Sequence, residues 1–176
     1  LGICDLDLNR RERLRRKTVV GTVMTNLGLE VALKNQGLKL LRAPVGDRYV
    51  VEAMLKGSYN LGGEQSGHVI FLDDATTGDG LLTALKIAGL VALRGPLEEL
   101  VHGLKEYPQT ILNVKVRAKP PPESLPEVAH ALAAAQRALG QSGRIVLRYS
   151  GTEPLARVMV EAERAGDVTR WSEALA

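Results

Sequence analysis

One seven-residue stretch, RYSGTEP at positions 148–154, brings together side chains suited to binding an anion. Arg148 can hold a phosphate through two parallel, charged hydrogen bonds. Ser150 and Thr152 can donate from their hydroxyls, and Gly151 lets backbone N–H groups approach phosphate oxygens closely. The stretch is therefore a candidate phosphate-binding loop, although short loops of Ser, Gly and Thr are also common as plain polar turns.

Apolar runs on both sides of this loop predict the elements that must position it. Residues 145–147 precede it and residues 155–160 follow it, which indicates two strands joined by a tight turn. Arg157 lies in the second strand, three residues past Pro154, and is a further candidate phosphate ligand.

A second polar stretch, GGEQSGH at positions 62–68, has side chains that suit a ligand rich in hydroxyls. Its glycines allow backbone freedom and close approach. Glu64, Gln65 and Ser66 are good partners for hydroxyls, and a carboxylate can also pair with a sugar ammonium group. We predict a glycine-rich loop over residues 60–67, but polar glycine loops are also common as turns that bind nothing.

The first part of the chain alternates strand and helix patterns, which is the rhythm of an α/β layer. Asn26 is predicted to cap a helix that ends near Gly37, and Asp47 suits the start of the next helix. The predicted strands are 17–24, 38–45 and 68–72, and the predicted helices are 1–16, 27–37, 46–55, 81–93 and 96–104.

The acidic stretch DDATTGDG at positions 73–80 raises the question of a metal site, because Asp73, Asp74 and Asp79 fall within seven residues. The stretch lacks the full spacing of a calcium loop and its closing glutamate. We therefore predict a turn followed by a helix that Thr77 or Asp79 caps, and no metal ligands.

From residue 107 onward the pattern changes to that of a small α+β domain. The expected elements are a strand over 110–116, a stiff proline-rich turn over 119–124, a helix over 126–139, strands over 144–149 and 155–161, and a last helix from 167. The predicted fold class is a mixed-sheet α/β domain, residues 1–106, followed by a smaller α+β domain with an antiparallel sheet, residues 107–176.

With 45% hydrophobic and 24% charged residues, the composition favours a soluble globular protein. The cysteine content makes a reducing cytoplasm the expected compartment. The single cysteine, Cys4, excludes an internal disulfide and a multi-cysteine metal site. No apolar run is long enough to span a bilayer, so we expect no membrane partner.

The net charge is +3, and much of the excess lies in one basic run. The run consists of Arg10, Arg11, Arg13, Arg15, Arg16 and Lys17. Such a run could contact nucleic acid. However, no aromatic stacking residue lies near it, and Leu6, Leu8 and Leu14 predict an amphipathic helix that turns its basic face to water. We therefore expect no nucleic-acid partner.

Both polar stretches resemble motifs of the α-D-phosphohexomutases. RYSGTEPLARVMVEA (148–162) is similar to the phosphate-binding loop in the last domain of that family, and GGEQSGH resembles its sugar-binding loop. The stretches TVVGTVMTNLGLE (18–30), VGDRYVVEAM (45–54) and TTGDGLLTAL (76–85) extend the likeness, most closely to the branch that acts on glucosamine phosphates.

The resemblance implies the third and fourth of four domains. Residues 1–106 would be the sugar-binding domain, with the connecting helix at 1–16, and residues 107–176 the phosphate-binding domain. The missing N-terminal domains and a hexosamine phosphate substrate are the implied partners.

Family members move phosphate between the C6 and C1 oxygens of a hexose through a phosphoserine and a bisphosphate intermediate. The serine lies in the first domain, and an aspartate-rich loop of the second domain holds Mg²⁺. Neither the serine motif nor an Asp-Gly-Asp-Gly-Asp-Arg stretch occurs in this sequence. We therefore expect Mg²⁺ in the full-length enzyme with no ligands in this chain, and no turnover by this chain alone.

Each candidate residue acquires an implied role from the resemblance. Arg148, Ser150, Gly151, Thr152 and Arg157 would hold the phosphate that is not reacting, so that one fixed anion site serves both half-reactions.

The sugar loop would have a separate role. Glu64 and Ser66 would hold the sugar hydroxyls or the amino group at C2, and Asp47 and Arg48 would form a further substrate-facing turn. His68 would assist proton transfer or bind phosphate, although it could equally be a histidine that merely opens a buried strand.

Two alternatives stay open. A phosphomannomutase or phosphoglucomutase of the same family would carry similar loops, and a sugar-phosphate-binding module without chemistry would carry them too.

Overall fold

A computed structural model describes residues 1–175, which fall into two compact units, Leu1–Glu106 (unit 1) and the residues from Tyr107 onward (unit 2). Unit 1 has a mixed sheet with helices on both faces, and unit 2 has an antiparallel sheet. The predicted fold class is confirmed. Within residues 1–175, none of the helices combines the length and hydrophobicity that a membrane crossing requires.

Unit 1 is built on four strands, β1 (Thr18–Thr22), β2 (Lys39–Ala43), β3 (Leu61–Gly63) and β4 (Val69–Phe71). Its helices are α1 (Gly2–Arg10), α2 (Leu27–Asn35), α3 (Asp47–Gly57), α4 (Gly80–Arg94) and α5 (Leu97–Leu100), and a 3₁₀ turn (Arg15–Lys17) leads into β1. The strand order is β2-β1-β3-β4, in which β1 runs parallel to β2 and β3 while β4 is antiparallel to β3.

Strand β1 is buried at every position, which explains its continuous run of apolar and small residues. Val19 packs into a core cluster with Leu33 of α2 and Leu90 of α4. The next residue, Val20, packs into a second cluster with Met54 of α3. Because successive strand residues point to opposite faces, the sheet is covered on both sides.

Local capping signals in unit 1 are confirmed. The side chain of Asn26 accepts a hydrogen bond of 2.9 Å from the N–H of Gly28 at the start of α2. Asp79 likewise accepts from the N–H of Leu82 at 2.9 Å and begins α4. These caps satisfy N–H groups that have no partner inside their own helices.

The prediction of a glycine-rich loop over residues 60–67 is wrong in its first half, where the chain forms β3. Leu61, Gly62 and Gly63 are all buried and pair with β1 and β4. A Cβ atom on Gly62 would lie 2.9 Å from Cγ1 of Val50, so the glycine lets α3 approach the strand closely. Glycine is generally disfavoured in strands, and the packing against α3 overrides that preference here.

The helix predicted over residues 1–16 is also wrong beyond Arg10, where α1 ends. Glu12 has a φ of 56°, which a right-handed helix cannot contain. The buried side chain of Asn60 holds the following segment, since it donates to the carbonyl of Arg13 and accepts from the N–H of Arg15. The basic run therefore does not form one helical face.

Unit 2 contains three strands and two α-helices. They are β5 (Gln109–Lys115), β6 (Gly143–Tyr149), β7 (Leu155–Ala162), α6 (Pro126–Leu139) and α7 (Ala165–Leu175), with a 3₁₀ turn at Pro122–Ser124. Strand β7 is central and antiparallel to both β5 and β6. Val158 and Val160 of β7 pack with Leu139 of α6 and Val168 of α7 in one core cluster, so both helices lie on one face of this sheet.

Candidate functional site

Glu64 is the fixed point of the β3–β4 hairpin in unit 1. Its N–H donates to the carbonyl of His68 at 2.9 Å, and its carbonyl accepts from the N–H of Gly67 at 3.2 Å. Gly67 has a φ of 101°, which a residue with a side chain rarely adopts. The Glu64 side chain is only 12% exposed, and its Oε1 accepts from the N–H of Gly46 at 2.8 Å.

That last hydrogen bond joins two segments that the sequence placed 18 positions apart. Gly46 caps α3, so Glu64 is tied to the turn that presents Asp47 and Arg48. Asp47 Oδ1 accepts from the N–H of Arg48 at 2.7 Å, and Arg48 Nε lies 2.9 Å from Oε1 of Glu52. The hydrogen bond to Glu52 is the main cause that raises the pKa of Arg48.

Ser66 and His68 complete a polar group around Glu64. Ser66 Oγ lies 3.1 Å from Nδ1 of His68, and the same Nδ1 lies 3.9 Å from Oε2 of Glu64. The His68 side chain is 57% exposed and precedes β4, so it is not a buried histidine. A carboxylate, a hydroxyl and an imidazole thus lie within reach of one ligand.

The sheet topology explains why these segments meet. Strands β1, β2 and β3 are parallel, so the loops that follow them emerge at one edge of the sheet. The residues after β1, Thr25 and Asn26, line a cavity of about 490 Å³ together with Glu64, Gln65 and Gly67. Carboxyl edges of parallel strands are common ligand sites in α/β folds.

The β1–α2 loop at this edge depends on Arg42, which sequence reasoning did not single out. Its Nη1 donates to the carbonyls of Thr22 and Thr25 at 3.1 and 2.6 Å, and its Nη2 lies 2.6 Å from Oε2 of Glu30. Because the partners lie 12 to 20 positions away, no local pattern predicts this bracing.

In unit 2 the β6–β7 hairpin presents the candidate phosphate loop. Ser150 is 4% exposed, and its N–H donates to the carbonyl of Leu155 at 2.8 Å. Ser150 Oγ accepts from the N–H of Glu153 at 3.2 Å and lies 3.4 Å from the Glu153 carboxylate. Gly151 and Thr152 at the tip are exposed, and a Cβ atom on Gly151 would meet no atom within 4 Å.

The two arginines of this hairpin are opposite each other in the strand register, Arg148 on β6 and Arg157 on β7. Arg157 Nη2 forms an ion pair of 3.0 Å with Glu153, while its Nε is buried without a hydrogen-bond partner. The guanidinium of Arg148 has no hydrogen-bond or ion-pair partner among residues 1–175. The open end of the hairpin thus carries positive charge that the described residues do not neutralise.

Lys119 also reaches this loop, although its sequence surroundings predicted only a stiff turn. Its Nζ donates to the carbonyl of Ser150 at 2.6 Å. The contact spans 31 positions and follows from the path of the chain after β5, where the N–H of Val116 donates to the carbonyl of Pro154 at 2.9 Å.

The acidic side chains that follow β4 are engaged in ion pairs. In the part of the chain from residue 1 to 175, no group of three or more His, Cys, Asp or Glu side chains could hold a metal ion. Asp73 pairs instead with Arg15 at 2.6 Å, and Asp74 with Lys86 at 2.9 Å.

Two family models account for nearly the whole chain. The α/β/α domain III of the phosphoglucomutase/phosphomannomutase family matches residues 1–107, and the C-terminal domain of that family matches residues 111–176. The fold and the two loops thus define a pair of phosphohexomutase domains. The chain belongs to the phosphoglucomutase/phosphomannomutase family, and the likeness predicted from its motifs is confirmed.

Within that family, bacterial relatives named phosphoglucosamine mutase are similar to this chain. The one from Koribacter versatilis is 54% identical over 97% of the chain, and the one from Geobacter metallireducens is 47% identical over 100% of it. The chain spans 37% and 39% of the length of these two relatives.

Solved structures share the fold at low sequence identity. An N-acetylphosphoglucosamine mutase from Aspergillus fumigatus superposes with a TM-score of 0.79 and 17% identity, covering 99% of this chain and 42% of its own. Another structure of the Aspergillus enzyme, in complex with GlcNAc-6P and magnesium, gives a TM-score of 0.76 and 20% identity, with 99% and 46% covered.

Proposed function

We propose that this chain forms the sugar-binding and phosphate-binding domains of a phosphoglucosamine mutase, which interconverts glucosamine 6-phosphate and glucosamine 1-phosphate. The observation that carries the proposal is the uncompensated Arg148 guanidinium beside Arg157 at the end of a hairpin whose tip is open at Gly151. The names of the bacterial relatives support the aminosugar as substrate.

Residues of unit 2 hold the phosphate that is not reacting. Arg148 binds two of its oxygens, because a guanidinium matches that geometry. Ser150 and Thr152 add hydroxyl donors. The Ser150 hydroxyl gives up a contact of 3.4 Å to Glu153, which is long for a hydrogen bond between oxygens and easily exchanged. A fixed anion site of this kind serves the substrate in both of its orientations.

Residues of unit 1 hold the sugar. The hydrogen bond from Gly46 fixes Glu64 Oε1 and leaves other lone pairs of the carboxylate for sugar hydroxyls or the C2 ammonium. Ser66 binds a hydroxyl, and His68, exposed and hydrogen-bonded to Ser66 at Nδ1, holds or moves a proton at the reacting oxygen. Asp47 and Arg48 directly follow Gly46, whose N–H binds Glu64, and they provide further contacts to the substrate.

The complete enzyme needs groups that this chain does not supply. We propose that its phosphoserine and its magnesium lie in domains beyond residues 1–176, and that the enzyme works in the cytoplasm. The purified 176-residue chain is then expected to show no turnover of glucosamine phosphates. Measurable turnover by this chain, with or without magnesium, would contradict the proposal that the phosphoserine and the magnesium lie in other domains.

A titration of the chain with glucosamine 1-phosphate, followed by amide chemical shifts, tests the substrate. Shifts at residues 64–68 and 148–152 that Glu64→Ala and Arg148→Ala remove, each at its own loop, support the proposal. Glucose 1-phosphate and mannose 1-phosphate provide the comparison. Equal or stronger binding of either one would favour a phosphoglucomutase or phosphomannomutase instead.

A matched control is Arg137→Ala, which removes a charge from the exposed surface of α6. Its binding should equal that of the unchanged chain. Binding without any effect of Arg148→Ala would refute the phosphate loop.

A further inference from the structure

Lys119 reaches the candidate phosphate loop from outside the hairpin that forms it. The hairpin tip lies between β6 and β7, whereas Lys119 follows β5 in the chain. Its ammonium donates to the Ser150 carbonyl at 2.6 Å, which is short for a charge-assisted hydrogen bond. The ammonium therefore lies at the backbone of the first loop residue.

Both ends of this contact are held by their surroundings. Lys119 precedes Pro120, and a residue before proline is confined to extended backbone conformations. Two more prolines and a 3₁₀ turn follow, in which Ser124 Oγ donates to the carbonyl of Pro121 at 2.7 Å. Ser150 is almost fully buried. The two backbone segments that this contact joins are thus constrained before any ligand binds.

The charge of Lys119 is not neutralised within residues 1–175, where it forms no ion pair. Glu153, the acidic residue of the loop, is engaged with Arg157 at 3.0 Å. An ammonium carries three N–H donors, and Ser150 uses one of them. Two donors and a full positive charge remain available at the loop, because the lysine is otherwise exposed.

We propose that Lys119 is an additional phosphate-binding residue, which orients the loop through Ser150 and donates to a phosphate oxygen with a remaining N–H. This inference rests on the proposed function, since it adds a ligand to the same anion site. The ligand class is a phosphate monoester dianion, for which inorganic phosphate is a sufficient probe.

Inorganic phosphate is titrated into the full 176-residue chain and into Lys119→Met, Lys119→Arg and Lys115→Met, with affinity measured from amide shifts of residues 150–152. We expect Lys119→Met to weaken binding about tenfold, the scale of one charge-assisted hydrogen bond, and Lys119→Arg to retain most of it. Lys115→Met removes an equal charge from exposed β5 and should have little effect, which separates direct contact from net charge.

Spectra recorded without phosphate distinguish a phosphate-binding role of Lys119 from a purely structural role in the loop. If the amides of residues 150–152 already move in unliganded Lys119→Met and the affinity stays unchanged, Lys119 only supports the loop and the inference is overturned. Normal binding by Lys119→Met together with loss of binding in Arg148→Ala would refute Lys119 alone and leave the phosphate site intact. Absence of phosphate binding by the unchanged chain would overturn both.

Discussion

Arg148 and Arg157 are directly opposite each other across the β6–β7 ladder. Like charges in such cross-strand pairs destabilise a sheet. Glu153 compensates Arg157 at 3.0 Å, while Arg148 has no described partner. Repulsion between the two guanidinium groups therefore lowers the stability of the hairpin in the absence of a ligand. An anion bound between these groups removes the repulsion.

Replacing Arg148 by Gln should therefore make the chain more stable in the absence of phosphate and less stable than the unchanged chain in its presence. Without phosphate, Arg148→Gln should raise the free energy of unfolding by about 0.2–1 kcal/mol, because the cross-strand repulsion disappears. With phosphate, the variant should lack the stabilisation that ligand binding gives the unchanged chain. Urea unfolding in both buffers measures the two effects, with Arg137→Gln on α6 as the neutral control. A loss of stability without phosphate would mean that Arg148 supports the hairpin itself.

Glu64 combines a structural hydrogen bond with a candidate ligand role, and two substitutions separate them. Glu64→Ala leaves the Gly46 N–H without its acceptor and should lower the free energy of unfolding by about 1–3 kcal/mol. Glu64→Gln keeps an acceptor oxygen and should lose less than half of that. If the carboxylate pairs with the C2 ammonium, the Gln variant should weaken binding of glucosamine 1-phosphate more than that of glucose 1-phosphate.

Amide-shift titrations of Glu64→Gln with both sugar phosphates measure this selectivity. Glu127→Gln is the control, since it removes an exposed carboxylate from α6, which contributes no residue to the candidate site. Equal weakening for both sugars in Glu64→Gln would remove Glu64 from aminosugar recognition.

Sequence reasoning succeeded where the determinants are local. Asn26 and Asp79 cap the helices that follow them because a short polar side chain can reach an N–H two or three residues ahead. The strands on either side of RYSGTEP were evident because apolar runs flank a loop of polar and small residues. Such signals depend on a few neighbouring positions, which a single sequence displays.

Distant partners explain what the sequence did not predict. Lys119 lies before three prolines and carries no local sign that its ammonium meets Ser150, 31 positions later. Gly62 lies in a strand because Val50 and Met54 of α3 occupy the space that a side chain at position 62 would fill. This requirement follows from the packing of the folded chain and is not visible in the sequence. In each case packing between separate elements overrides the local preference.

Asn60 is the clearest example of such a distant contact, and its removal should be costly. Its amide bridges the backbone of Arg13 and Arg15 and donates to Asp73 Oδ2 at 2.7 Å, while the residue is 2% exposed. Asn60→Ala removes three hydrogen bonds of a nearly fully buried side chain, one of them to a carboxylate, so we expect the free energy of unfolding to fall by about 2–4 kcal/mol.

Chemical denaturation of Asn60→Ala tests this estimate against Asn113→Ala, which removes an exposed amide from β5 and should change stability by less than about 0.5 kcal/mol. Similar values for the two variants would show that the segment after α1 holds its position without Asn60.

Asp5 on α1 makes the stability of unit 1 depend on pH. The residue is 1% exposed, and its Oδ2 has no hydrogen-bond partner. Burial raises the pKa of this carboxyl to about 7, although the nearby amino group of Leu1 acts in the opposite direction. An unfolded aspartate has a pKa near 3.9. Between about pH 4 and about pH 7 the folded chain therefore holds a proton that the unfolded chain has released.

The free energy of unfolding should consequently fall as pH rises through this window and level off above about pH 7, with a total loss of at most about 4 kcal/mol from this group. Asp5→Asn cannot ionise, so it should lose this part of the pH dependence and be more stable than the unchanged chain near pH 8. Urea unfolding at a series of pH values measures both slopes. Asp7→Asn, which removes ion pairs to Arg11 and Arg94, should retain the slope that Asp5 produces. Parallel curves for the unchanged chain and Asp5→Asn would show that Asp5 is ionised in the folded protein, and that water or a cation reaches its carboxylate.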